Sequence, residues 1–229
     1  MIDGLPDSLQ RYARKIFEAS APCVRISVPN EGGASHFGGS ALLPSGETWP
    51  LAQSGRPLDH LISIDLSEVP RIEANALPSS GTLLFFYDTE GQPWGIPGQE
   101  EDWRVLYRLE GDAGTAAVGP SFPEEPVGMT FSVATSYDGD LDLNLSEEEN
   151  DAYFDWLGGD HPFQMFGHES EVQGPLEDYV PGHRLLLQLP SDDGLGTMWG
   201  DVGNLYFTMT PADMAQGRFD KVKLNLQCY

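Results

Sequence analysis

The sequence predicts a mainly β fold: antiparallel sheets with an N-terminal helix and short peripheral helices, as one domain over residues 1–229. Three observations carry this. Short runs of Val, Ile, Leu, Phe and Tyr recur between turn residues, and the chain holds 26 Gly and 18 Pro in 229 residues, the punctuation of antiparallel strands. Helical periodicity of any length occurs near residues 6–19 and 145–157 only. Strands do not alternate with helices in the βαβ manner. A chain of this size buries roughly 70% of its unfolded surface, so its core needs no disulfide staple.

Leu9, Tyr12, Ala13, Ile16 and Phe17 share one face at 3.6 residues per turn, which predicts the first helix over about 6–19, packed on its own sheet. Pro6 and Asp7 suit its first turn. Cys23 to Val28 reads as a strand, followed by a Gly-rich turn at Glu31-Gly32-Gly33. Leu61 to Leu66 alternates as a half-buried strand, and Thr82 to Tyr87 is strongly β-forming. Trp103 to Leu109 and Met129 to Ala134 follow as strands. Ser146 with Glu149 forms a capping box for a helix presenting Ala152, Tyr153, Trp156 and Leu157. Strands at Leu185 to Leu189 and Leu205 to Met209 precede a short helix opened by Thr210-Pro211 and ended by Gly217.

Two pseudo-repeated halves, about 22–110 and 160–229, are legible on either side of an acidic segment. Ile62 precedes Gly81 by 19 residues, and Leu185 precedes Gly203 by 18. Each half thus offers a strand, a loop and a Gly-opened aromatic strand. A cleft between such halves is a natural place for a ligand.

The chain carries 36 Asp and Glu against 12 Lys and Arg, a net charge of −24. From Leu109 to His183 it has no Lys or Arg and seventeen acids. Such a surface repels phosphate backbones, which argues against nucleic acid as a partner. The same field favours encounter with a basic protein. Cys23 and Cys228 alone do not make a secreted disulfide framework. The start, MIDGLPDSLQRYARK, has no apolar signal region, and no run reaches membrane-spanning length. The expectation is a cytoplasmic protein that engages no membrane.

A set of ordered fragments points to a family. Phe37-Gly38-Gly39 is followed by Leu43-Pro44, Trp49-Pro50, Pro57-Leu58 and Ile64-Asp65-Leu66. Leu77-Pro78 then leads through Gly81-Thr82-Leu83-Leu84-Phe85-Phe86-Tyr87-Asp88 to Trp103-Arg104-Val105-Leu106-Tyr107. Phe166-Gly167, Gln173-Gly174, Leu186-Leu187-Gln188-Leu189, the run Gly200 to Phe207 and Phe219-Asp220 complete the set. In this order, from about Phe37 to the C-terminus, they resemble the YwqG-like family of bacterial proteins, a domain of unknown function. The resemblance implies a mainly β fold with peripheral helices and names no catalytic residues. Some relatives sit near toxin genes, which implies an immunity-like role. Where the family pattern runs Phe-Leu-Ala-Gln, this chain has His60-Leu61-Ile62-Ser63.

Counted from Asp138, oxygen-bearing side chains fall at loop positions 1, 3, 5, 7 and 9, and Glu149 falls at 12. Asp138, Asp140, Asp142, Asn144 and Glu149 therefore have the spacing of an EF-hand calcium loop. Leu143 stands where that loop needs glycine, and Leu141, Leu143 and Leu145 alternate with the acids as a strand would. No other cofactor is indicated. His161, His168, Glu169, Glu171 and His183 cluster loosely without a zinc-type pair, and read as surface or core residues. Asp65, Asp88 and Asp201 border strand ends and are the ligand-binding candidates. The glycines form no phosphate loop, and neither a G-x-S-x-G elbow nor H-E-x-x-H occurs. Cys228 reads as part of an exposed tail. The sequence therefore favours a non-catalytic interaction protein with an acidic face for a basic partner. The alternative is a small-molecule-binding or hydrolytic protein with a cleft between its β halves.

Overall fold

In the computed structural model, which describes residues 2–30, 33–73, 76–157 and 161–229, the β-branched and aromatic runs form strands. They are β1 (Ala21–Asn30), β2 (His36–Phe37), β3 (Leu42–Leu43), β4 (Asp59–Asp65), β5 (Thr82–Tyr87) and β6 (Trp103–Arg108). After these come β7 (Thr115–Ala116), β8 (Val127–Ser136), β9 (Gln164–Met165), β10 (Arg184–Pro190), β11 (Asn204–Met209) and β12 (Lys223–Gln227). Ten of them make one antiparallel sheet in the order β12-β11-β10-β9-β1-β8-β2-β4-β5-β6, and β3 pairs with β7 in a small second sheet. Of the expected turn at 31–33, Glu31 and Gly32 lie outside the described residues. Strand β12 had no counterpart in the sequence reading, because Lys223-Leu224-Asn225-Leu226-Gln227 is too short and polar to stand out.

The sheet reads alike from either edge. A three-stranded meander is followed by a two-residue strand and then a ten-residue strand. The two long strands are exchanged. β1 leads into β2 along the chain but lies beside β9, whereas β8 leads into β9 but lies beside β2. Local geometry follows the same correspondence. His36 pairs with Ser63 as Gln164 pairs with Gln188. β4 has its bulge between His60 and Ile62, and β10 has one between Leu185 and Leu187. β2 and β9 are each followed by two residues of positive φ, Gly38 (56°) and Gly39 (65°) in one case, Phe166 (61°) and Gly167 (72°) in the other.

Strong twist, increased by the bulges, curls the sheet until its edges approach. Trp103 Nε1 on β6 donates to the Val222 carbonyl beside β12 at 3.1 Å. Inside, Phe85 of β5 meets Phe207 of β11 edge to face, with centroids 5.1 Å apart and both rings fully buried. Burying two such rings contributes several kcal/mol. The space between the two meanders is therefore core. β4 is buried on both faces instead of alternating, because it lies between this core and a second cluster of Leu43, Leu58, Leu84 and Phe86.

The helices are α1 (Ala13–Ala19), α2 (Glu147–Leu157), α3 (Leu176–Tyr179) and α4 (Pro211–Ala215). The capping box of α2 forms as its sequence demands: Ser146 N donates to Glu149 Oε2 at 3.1 Å and Glu149 N to Ser146 Oγ at 3.3 Å. Thr210 caps α4, accepting from Asp213 N at 3.1 Å. The N-terminal helix differs from expectation. Asp7–Tyr12 is a 3-10 helix, and α-geometry begins only at Ala13. The change from three to 3.6 residues per turn rotates the apolar stripe, so Leu9 and Ile16 are buried while Phe17 is 67% exposed. This element packs with Leu143 and Tyr153 in a core apart from the main one, against α2 and the acidic loop. Cys228 is buried, against the expectation of an exposed tail. Among the described residues no helix is long and apolar enough to cross a membrane.

Truncating Phe85→Ala or Phe207→Ala should each cost about 3–5 kcal/mol in urea unfolding. A Phe→Leu double-mutant cycle at the two positions should show coupling of about 0.5–3 kcal/mol, as for rings in direct contact.

Candidate functional site

Gly167 decides where the chain goes after β9. Its φ is 72°, and a Cβ there would lie 2.2 Å from Ser136 Oγ and 2.9 Å from Cys23 Cβ, so only glycine fits against β1 and β8. From Phe166 to Leu176 the chain then crosses the second meander as a strap. Its backbone has few ladder partners, and buried amides and carbonyls must find others. Side-chain amides from the sheet supply them. Gln188 Oε1 accepts from Ser170 N at 2.8 Å, and Gln227 Oε1 accepts from Val172 N (3.2 Å) and Gln173 N (2.9 Å). Gln164 Nε2 donates to the carbonyls of Phe166 (2.9 Å) and His168 (2.6 Å), and Tyr206 Oη to that of Ser170 (2.6 Å). Gln164, Gln188 and Gln227 are all at most 1% exposed. Satisfied amides in such a place hold a segment in one position.

The strap separates two clefts. The first, of about 450 Å³, runs between the strap and the C-terminal part of α2; its wall includes Arg25, Ser136, Phe154, Asp155, His161, His168, Glu169, Glu171 and Tyr229. The second, of about 510 Å³, lies on the other side, toward α3, α4 and the start of β10. His168 and Glu169 face both. The structure thus brings His161, His168, Glu169 and Glu171 to one cleft and places His183 on the other. Sequence spacing reads them as a loose cluster of surface or core residues, without showing the cleft that four of them share. Arg25 and Ser136 were missed altogether, since Arg25 donates to Gln164 Oε1 (2.6 Å) across 139 residues of chain.

Glu171 is the electrostatic centre of the first cleft. Burial and then the charges of Glu169, Asp140, Asp138 and Asp178 push its carboxyl up to about 7. Gly139 brings the acidic loop against it: a Cβ at that position would lie 2.9 Å from Glu171 Oε1. Arg25 is the one Lys or Arg among the described lining residues. A carboxyl raised in the folded state favours folding below its unfolded value. That stability is lost as pH rises from about 4.5 through 7.

The calcium-spaced residues are engaged with the chain itself. Asp138 Oδ1 accepts from Asp140 N at 3.0 Å and Asp142 Oδ1 from Asn144 N at 3.3 Å, while Asn144 has φ 50°. Leu143, where the calcium loop needs glycine, is buried in the N-terminal core. Two cations of the N-terminal helix reach this region: Lys15 donates to the Asp142 carbonyl, and Arg11 pairs with Glu149 at 2.5 Å. Among the described residues no group of three or more His, Cys, Asp or Glu is arranged to hold a metal.

The three aspartates at strand ends do not converge on a cleft. Asp65 Oδ1 accepts from Ser67 N and Oγ in a tight turn. Asp88 accepts from Gly91 N at 2.9 Å and pairs with Arg56; against the desolvation that would raise it, these hold its carboxyl below the usual range. Asp201 is exposed, and its carbonyl accepts from Tyr229 N at 3.1 Å. Ser63 Oγ lies 3.0 Å from His60 Nε2, with His60 Nδ1 3.1 Å from the Gly39 carbonyl. That is nucleophile-base spacing, yet both side chains are buried, neither lines the two clefts, and burial lowers His60 to about 4.

A family model described as Domain of unknown function (DUF1963) matches residues 35–228. The chain belongs to that family. The DUF1963 match takes in all strands from β2 onward, the strap and most of the lining of both clefts, and leaves out the N-terminal helix, β1 with Ala21 and Arg25, and Tyr229. No curated protein matches the chain.

Removing the clamp by Gln227→Ala should cost about 1–3 kcal/mol, since two half-buried amides lose their acceptor. Native-state hydrogen exchange should accelerate at Val172 and Gln173, with the β5 amides changing only by as much as the global stability falls.

Proposed function

We propose that this DUF1963 protein is a non-catalytic binding domain whose first cleft receives a basic side chain of a protein partner. The observation that carries the reading is the crowding of Glu171. Carboxylates surround a half-buried carboxyl, and the cation in the wall, Arg25, donates to Gln164. Negative charge held without compensation in a concave, partly desolvated place is relieved by an incoming Lys or Arg. Phe154 and Tyr229 in the wall offer ring faces to the same kind of group. Most of the cleft derives from the stretch of chain devoid of Lys and Arg, so the surrounding field draws a basic partner toward it. Neutralisation of a basic toxin-like protein would be one use of such a site, in keeping with the immunity-like role that the family resemblance implies.

Titration calorimetry with hexa-arginine tests this. Binding should weaken as salt rises and strengthen as pH rises from 6 to 8, because the ligand favours ionised Glu171. Glu169→Gln/Glu171→Gln should lose about tenfold or more in affinity, roughly 1.4 kcal/mol. Glu147→Gln/Glu148→Gln removes the same charge from the exposed first turn of α2 and should leave affinity within twofold. Equal loss in both double variants, or no binding at low salt, overturns the reading.

A further inference from the structure

The second cleft has a different chemistry from the first. Its floor is apolar, formed by Phe166, Leu176, Leu185 and Met214, where the main core meets the small cluster under α3. At about 510 Å³ it falls within the ~300–1,000 Å³ typical of small-molecule sites. Charges of both signs stand on its wall. Glu169, on the strap, has one carboxylate oxygen accepting from Leu176 N at 2.8 Å, which leaves the other for a ligand. Arg184, at the start of β10, donates through one nitrogen to the His183 carbonyl at 2.7 Å and stands 3.8 Å from Glu177, so its fork retains unused N–H groups. His183 holds Thr208 Oγ1 through Nδ1 at 3.2 Å, which frees Nε2. Burial lowers the pKa of His183, so the ring is neutral at pH 7 and adds a hydrogen-bonding group without charge.

We infer that this second cleft binds a small zwitterion with an apolar body, of the class of apolar amino acids and their dipeptides. The carboxylate is received by Arg184 with His183, the ammonium by Glu169, and the aliphatic or aromatic side chain by the Phe166–Met214 floor. The lining carries Glu169 and Glu177 together with Arg184, so a ligand that bears both charges finds a partner for each. The site shares Glu169 with the cation site across the strap, but Arg184 and Met214 line the second cleft and not the first, so the two readings fail separately.

Thermal shift and amide-resonance titration with L-leucine, L-phenylalanine and L-leucyl-L-leucine test it on the whole chain. At least one of the three should raise Tm and perturb the resonances of Leu185 and Met214. Leucinamide, 4-methylvalerate and glycine each lack one recognition element and should bind at least tenfold more weakly. Arg184→Gln, at an exposed position whose one ion pair among the described residues is long, should fold normally and lose the response to the zwitterions. If none of the three perturbs the cleft, or if leucinamide or 4-methylvalerate binds as well as leucine, the inference is overturned. Perturbation confined to Tyr137, Phe154 and Tyr229 overturns it as well, since that places the ligand in the first cleft.

Discussion

The pairing of β1 with β8 is the constraint on which the rest of the structure depends. Each long strand hydrogen-bonds to the short strand of the opposite half, so neither half of the sheet is complete without the other. Ser136 Oγ donates to the Ala21 carbonyl across 115 residues of chain, and closing so long a loop costs entropy before any contact returns it. The return comes from the curl that the exchange permits. Two meanders fold toward each other, Phe85 meets Phe207, and Trp103 reaches over to Val222. The same exchange sets β1 beside β9, which places Arg25 against Gln164 and gives the first cleft its floor.

A filled interior moves binding chemistry to the outside of the sheet. There the polar residues Gln164, Gln188, Asn204 and Gln227 face outward yet are buried, because the strap covers them. Their amides do for the strap what a neighbouring strand would otherwise do. In doing so they fix His168, Glu169 and Glu171 on a segment with little regular structure of its own. The N-terminal helix plays the complementary part for the acidic loop. Arg11 pairs with Glu149 and Lys15 donates to the Asp142 carbonyl, so cations of the chain itself reach that part of the acidic surface.

Local order was legible in the sequence to the extent that it rests on local rules. Thr82 to Tyr87 is a strand at the bounds its composition indicates, Ser146 and Glu149 form their box, and Thr210-Pro211 opens a helix. Phe17 was misplaced because periodicity assumes one helical pitch, and the chain uses two. The buried character of β4 was hidden because His60 and Ser63 read as polar, although they satisfy each other inside. The site was harder to see for a different reason. Its glutamines look like ordinary strand residues until the strap lies over them, and Arg25 lies far in sequence from what it holds. The echo of Gly81 to Phe85 in Gly203 to Phe207 was visible as sequence; that the two phenylalanines pack on each other was not.

The central claim is that the first cleft holds a carboxyl whose charge awaits a cation. Carbon-detected NMR titration of the Glu171 carboxyl, with and without hexa-arginine, measures this directly. Free protein should show Glu171 titrating near pH 7, and saturation with the basic ligand should move its midpoint down into the ordinary carboxylate range. A Glu171 that titrates with the exposed glutamates in the free protein, or whose midpoint does not move when the ligand binds, would contradict the account.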